Sequence, residues 1–249
     1  AATANLQTAV YSAAIGARDM DIINSVELNL LNHRFGDSGA REIIQHSYER
    51  WGKKLGMTTA FGYSGVYLMY LIRQMDLPID IYFIDTGYHF PETYEFAEEI
   101  KQKWGLHIET ISADEKIKKY VTDELGEEPW KTNPNLCCHF LKVAPLLQIL
   151  PEKDAWLSGL RRDQSPSRNS INIFQLDSRG TLKVHPLTHY SGDQVWEEIS
   201  EHELPYHPLH DEGYMSIGCR HCTSPAAKGE NERAGRWRGS GKLECGLHL

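Results

Sequence analysis

The chain has 249 residues, 41% of them hydrophobic and 24% charged, and carries a formal net charge of −8 at pH 7. This size and mixture describe a folded protein able to bury a real core, and exclude a disordered or fibrous chain. The acidic balance argues against nucleic acid as a partner, so a small anion would have to be met by a local basic cluster.

No apolar run approaches the roughly 20 residues of a membrane span, and "AATANLQTAV" at the start lacks the basic and apolar blocks of a signal peptide. A cytoplasmic location with no membrane partner is therefore expected. Residues 1–54 read as a helical lead-in: "DIINSVELNLLNHRF" and "GAREIIQHSYERWG" carry apolar residues at helical spacing, with Gly36 and Gly39 between them. Residues 55–212 read as an α/β core. In it, "MTTAF" predicts a strand, "GYSG" a glycine turn, "VYLMYLIRQM" a buried helix and "IDIYFID" a second strand. "FPETYEFAEEIKQKWG" is helical, with Pro91 at its start and Gly105 past its end, and "LHIETI" is a further strand. Next come a helix, "HFLKVAPLLQIL", a strand candidate, "DAWLSGL", and the arginine-rich loop "RRDQSPSR". "SGDQVWEEISEHEL", with Ser191 and Asp193 at its start, closes the core before Pro205. This alternation implies an open, mostly parallel twisted sheet with helices on both faces.

Residues 213–249 form a different kind of segment, with seven glycines, six Lys or Arg against three acids, and three of the five cysteines. It reads as a functional tail folded back on the core, within one structural domain overall.

Three features carry chemistry. The turn after the first strand, Phe61, Gly62, Ser64 and Gly65, offers backbone N–H groups at a helix N-terminus, an anion site that lacks the Walker pattern; an ordinary tight turn is the plain alternative. Asp85, Thr86 and Gly87 fall where an apolar strand ends, an edge that tends to face ligand, although Asp85 can equally cap the next helix. The cysteines sort into a vicinal pair, Cys137 and Cys138, a C-x-x-C pair, Cys219 and Cys222, and Cys245 alone. Zinc half-sites leave two to four residues between ligands, so adjacent cysteines favour an iron-sulfur cluster over zinc. Buried structural thiols stay open for the cysteines individually and a redox disulfide for the C-x-x-C pair, but neither explains all four together. Cys245, flanked by glycine near the end, is either a candidate nucleophile or a spare surface thiol, and the arginines and lysines before it are either an anion site or solvated charge.

In order, "IDTGYHFPETY", "CCHFLKVAPL", "GLRRDQSPSR", "HPLHDEGYMSIGCRHCT", "GENERAGRW" and "ECGLH" resemble the assimilatory sulfonucleotide reductases, from about residue 55 onward. The resemblance implies an adenine nucleotide alpha hydrolase-like fold, with residues 55–212 as its nucleotide-binding core. It also implies that Cys137, Cys138, Cys219 and Cys222 ligate a [4Fe-4S] cluster, and that Cys245 attacks the sulfur of the bound sulfonucleotide. Thioredoxin or a glutaredoxin would then release sulfite from the enzyme adduct. Lys142, Arg233 and Arg236 would serve the reaction with Cys245. Arg161, Arg168 and His248 would join Phe61, Gly62, Ser64, Gly65, Asp85, Thr86 and Gly87 as substrate contacts, and a homo-oligomer is expected. The four cysteines favour adenosine 5'-phosphosulfate (APS) as substrate. The "AFGYSG" loop and "DTGYHF" lean toward phosphoadenosine phosphosulfate (PAPS), which keeps PAPS or dual use as the alternative. A zinc-stabilised nucleotide-binding module without catalysis is the distant rival.

Overall fold

The computed structural model describes residues 23–247. Two helices lead in, α1 (Ser25–Arg34) and α2 (Ala40–Trp51). Then follow β1 (Leu55–Thr59), α3 (Tyr63–Gln74), β2 (Asp80–Asp85), α4 (Pro91–Trp104), β3 (Ile108–Ser112) and α5 (Glu115–Leu125). Two short helices, α6 (Pro129–Thr132) and α7 (Pro134–Cys138), run into a π-helical turn, His139–Val143, and α8 (Ala144–Ile149). The remaining elements are β4 (Ala155–Leu157), β5 (Phe174–Leu176), β6 (Leu182–Val184) and α9 (Gly192–Glu201).

The six strands lie in the order β3-β2-β1-β4-β6-β5, all parallel neighbours except the antiparallel pair β5 and β6. Side-chain alternation divides the core between two faces. Leu55, Met57, Ile81, Phe83, Ala155 and Leu157 point into the larger cluster with α3, whereas Tyr82, Ile84 and Trp156 meet Val143, Leu146 and Leu147 on the other side. Helix α3 buries eight of its residues, which explains its apolar character all round. Gly56 makes room for Trp156: a Cβ there would stand 2.5 Å from the indole ring. The expected mostly parallel sheet with helices on both faces is therefore the observed one. No helix among the described residues is long and apolar enough to cross a membrane.

The run expected as one helix, "HFLKVAPLLQIL", widens into the π turn. Pro145 has no N–H to give the Leu141 carbonyl, so the regular ladder cannot continue through it. Beyond α9 the tail returns across the sheet's C-terminal edge. The Arg220 N–H donates to the Tyr88 carbonyl at 2.7 Å, Trp237 N–H to Cys222 at 2.9 Å, and Thr223 bridges to Arg236.

Candidate active site

From β1 the chain adds β2 and β3 on one side and β4 and β6 on the other, so the connections diverge at the carboxyl ends of β1 and β4. Open α/β sheets bind ligands in the crevice this creates. Here it is a cleft with about 980 Å³ of empty volume, floored by Thr58, Thr59, Ser158 and Gly159 and roofed by tail residues 215–218 and 232–237.

One end of the cleft is the N-terminus of α3. Its cap, Gly62, has no side chain to satisfy the first-turn N–H groups, which leaves them for an anion. Phe61 holds the loop in place rather than facing the cleft. It adopts φ +56°, rare for a non-glycine residue, and its fully buried ring packs on Phe83 and Phe96 at 5.1 and 6.3 Å. Arg161 is also fully buried. It is committed to an internal network, pairing with Asp163 and Glu232 and donating to Tyr63 and Ser64.

The other end gathers cations around Cys245. Lys142, Arg168, Arg233 and Arg236 all line the cleft with that thiol. Arg168 binds Glu244 in a fork, Nε to Oε1 at 2.8 Å and Nη2 to Oε2 at 2.9 Å, and Arg233 Nη2 reaches the same carboxylate at 3.0 Å. Burial opposes ionisation of Glu244, but the hydrogen bonds and charge of Arg168, then the charge of Arg233, hold its carboxyl below the usual range. Burial and the Arg168 charge pull Arg233 down to about 10, so it stays charged at neutral pH. Arg236 is less engaged: Nη1 donates to the Ile217 carbonyl at 3.3 Å, and its buried Nε has no hydrogen-bond partner. Burial also opposes ionisation of Cys245, yet the Lys142 ammonium, the Leu247 N–H and the Arg236 guanidinium together bring the thiol below its ordinary pKa. The half-buried thiol thus ionises more readily than an ordinary cysteine, and it does so among four cationic side chains.

Behind this end lies a second, more enclosed cavity with about 410 Å³ of empty volume, lined by Cys137, Cys138, Cys219 and Cys222. Lys142, Arg236 and Trp237 line both cavities and so form the wall between them. None of the four thiols is in a disulfide. Burial, then the neighbouring sulfurs, push Cys137 up to about 12 and Cys222 up to about 11. Thiols this crowded resist ionisation unless a metal centre supplies compensating charge. Thr86 Oγ1 meets Cys219 Sγ at 3.3 Å, and His221 stacks on Trp130 at the cavity's edge, 3.9 Å between centroids. Among the described residues no three His, Cys, Asp or Glu side chains converge on a single-ion site.

A family model for the phosphoadenosine phosphosulfate reductase domain matches residues 54–225. The chain belongs to that family. Its relatives include the adenosine 5'-phosphosulfate reductase of Lysinibacillus sphaericus, 42% identical over 211 residues, covering 84% of this chain and 91% of that one. Adenosine 5'-phosphosulfate reductase 1 of Bacillus subtilis is 43% identical over 212 residues, again 84% and 91% of the two chains. A crystal structure of phosphoadenylyl-sulfate reductase from Candida auris, a phosphate complex, superposes with a TM-score of 0.70 at 28% identity, covering 81% of this chain and 98% of that one.

In this member of the family, Gly62, Ser64, Gly65, Lys142, Arg168, Arg233, Arg236 and Cys245, all singled out in the sequence, line one cleft. Five other expected substrate contacts do not line it. Phe61 and Arg161 are internal supports; Asp85 accepts from Gly87 N–H and Tyr94 Oη, both at 2.8 Å, and so shapes the turn containing Gly87; Thr86 belongs to the cysteine cavity. His248 lies outside the described residues. Sequence reasoning missed Glu232 and Glu244, although both stand inside quoted motifs, because a carboxylate in a basic stretch gives no sign of which arginine it meets. It also missed His89, a buried cleft residue whose Nε2 bonds the Ile84 carbonyl at 3.1 Å.

Proposed function

We propose that this chain reduces APS to sulfite and AMP, with Cys245 as the nucleophile and thioredoxin or a glutaredoxin as the reductant. The observation that carries the reading is the meeting of an acidified thiol, four cations and an open helix N-terminus in one nucleotide-sized cleft at the sheet's switch point.

The Cys245 thiolate attacks the sulfonyl sulfur. The bond from sulfur to the phosphate oxygen breaks, AMP leaves with that electron pair, and an S-sulfonate forms on Cys245. One thiol of the reductant then attacks the Cys245 sulfur, and sulfite departs with the electrons of the sulfur-sulfur bond. The second reductant thiol resolves the mixed disulfide, so a dithiol becomes a disulfide and the sulfonyl group gains two electrons. Lys142 and Arg236, which line the cleft with Cys245, would stabilise charge on the sulfonyl oxygens, while the first turn of α3 would receive the leaving 5'-phosphate.

Cys137, Cys138, Cys219 and Cys222 would hold the [4Fe-4S] cluster. The fit rests on the donor set: four thiols, none in a disulfide, line one enclosed cavity, and thiolates are the ligands such clusters take. When bound, the cluster supplies fixed charge beside Lys142 rather than electrons.

PAPS is the second reading, favoured by the Phe61–Gly62 loop and by the likeness to a PAPS reductase structure. APS is preferred because relatives above 40% identity over most of both chains are named for it. Sulfite release from APS and from PAPS with reduced thioredoxin decides between them. Turnover at least tenfold faster with APS is expected, and the reverse ratio would transfer the assignment to PAPS.

A further inference from the structure

Cys245 is held from both sides, and only one of the two holds involves the cleft arginines. Before it, Glu244 sits in the Arg168 fork. After it, Arg179 donates from Nη1 to the Gly246 carbonyl at 3.2 Å and from Nη2 to the Leu247 carbonyl at 3.1 Å. Arg179 belongs to the tight turn between β5 and β6, well away from Cys245 in sequence and outside the cleft lining.

The turn is built to present that guanidinium. Asp177, whose carboxylate is almost wholly buried, accepts from the backbone N–H groups of Arg179 and Thr181 at 3.0 and 2.9 Å. Its other oxygen accepts from Arg179 Nε at 3.1 Å and Nη2 at 2.7 Å. Gly180, at φ +78°, lets the chain reverse within this space. Arg179 therefore meets the tail with its rotamer already fixed, and the entropy of ordering a long side chain does not fall on docking.

We infer that Arg179 is a positioning residue for Cys245, and that the β5–β6 turn is the second docking point of the catalytic tail. Its effect passes through one backbone turn. Gly246 adopts φ +90°, so the chain bends immediately after Cys245, and the two carbonyls that Arg179 holds lie on that bend. Fixing the Gly246 and Leu247 carbonyls fixes that bend, and with it the direction from which the sulfur faces the cleft.

The inference rests on the reductase reading above, and its test has a readout that does not. Limited trypsin digestion of the full chain reports tail opening as cleavage after Lys242, and steady-state sulfite release reports catalysis. In R179A, cleavage is expected to accelerate about tenfold, the scale of losing hydrogen bonds from a charged donor. The kcat should fall by a similar factor while KM for APS stays within about twofold, because no cleft contact is removed. R179K keeps the charge but cannot fork to two carbonyls, so both readouts should fall between wild type and R179A. Wild-type cleavage and kcat in R179A would overturn the inference. If R179A melts well below the wild type, R179K decides, and a wild-type cleavage rate there overturns it. If the wild type releases no sulfite from either sulfonucleotide, the reductase reading fails, while faster cleavage of R179A still upholds the docking point.

Discussion

Glu244 and Arg168 face each other in a two-point ion pair, at 2.8 and 2.9 Å, one residue ahead of the cleft thiol. The guanidinium expected to grip substrate instead grips Glu244, in the segment that carries Cys245. An anion that took the same Arg168 donors would have to displace the Glu244 carboxylate, the residue next to Cys245.

Arg168→Lys tests that coupling. Lysine keeps the charge but loses the planar fork that fits a carboxylate. We expect kcat/KM for APS to fall by about tenfold or more, with the thermal midpoint within a few degrees of wild type. Wild-type kinetics would show that charge alone suffices at this position.

Gly218→Ala tests the placement of Arg236. A Cβ at 218 would lie 2.3 to 2.8 Å from the guanidinium atoms, and the arginine tip can move where backbone could not. Displacing it should lower kcat/KM by about ten- to a hundredfold while the melting temperature changes little. A large loss of stability with normal kinetics per folded molecule would contradict this.

Three buried histidines set an acid limit on stability. Burial holds His89 and His207 at about 4 and His185 at about 3. His207 accepts from Leu209 N–H at Nδ1, so in its neutral form Nε2 carries the proton toward Thr93 Oγ1 at 2.9 Å. The unfolded chain takes up protons near pH 6.5 and the folded chain does not. Stability should therefore be complete above about pH 7 and fall as pH drops from about 6.5 toward 4. Melting temperature measured against pH checks the sign. His207→Gln should flatten the slope by up to about 1.4 kcal/mol per pH unit, and an unchanged slope would remove His207 from the explanation.

Anaerobic purification checks the cysteine cavity. Iron and acid-labile sulfide in equal amounts are expected, and Cys137→Ser should remove most of both. Colourless protein with stoichiometric zinc would contradict the cluster.

The central sheet could be read from the sequence because each of its longer strands announces itself locally. Within "IDIYFID" residues 81–84 are continuously apolar and buried because β2 is covered on both faces, and "MTTAF" is followed at once by the turn that opens α3. Strands β5 and β6 escaped notice: three residues each give no period to detect, and their pairing depends on a turn whose order comes from Asp177. The same limit governed the site. Glycine loops, cysteine pairs and "ECGLH" are local patterns, and the family resemblance they carry pointed to Gly62, Lys142 and Cys245, which line one cleft. The Glu244 clamp, the Arg179 contact and the internal role of Arg161 arise only when segments distant in the chain meet. Arg161 shows the difference most clearly, since an arginine beside a ligand loop looks like an anion contact until Glu232 and Asp163 are found on it.

The most direct measurement is the mass of the Cys245 peptide after the protein is incubated with APS and no reductant. Cys245 should carry one added SO3 group, with AMP released in equal amount, and reduced thioredoxin should remove the group as sulfite. AMP and sulfite formation without any adduct on Cys245, or undiminished turnover in Cys245→Ser, would contradict the thiol's role as nucleophile.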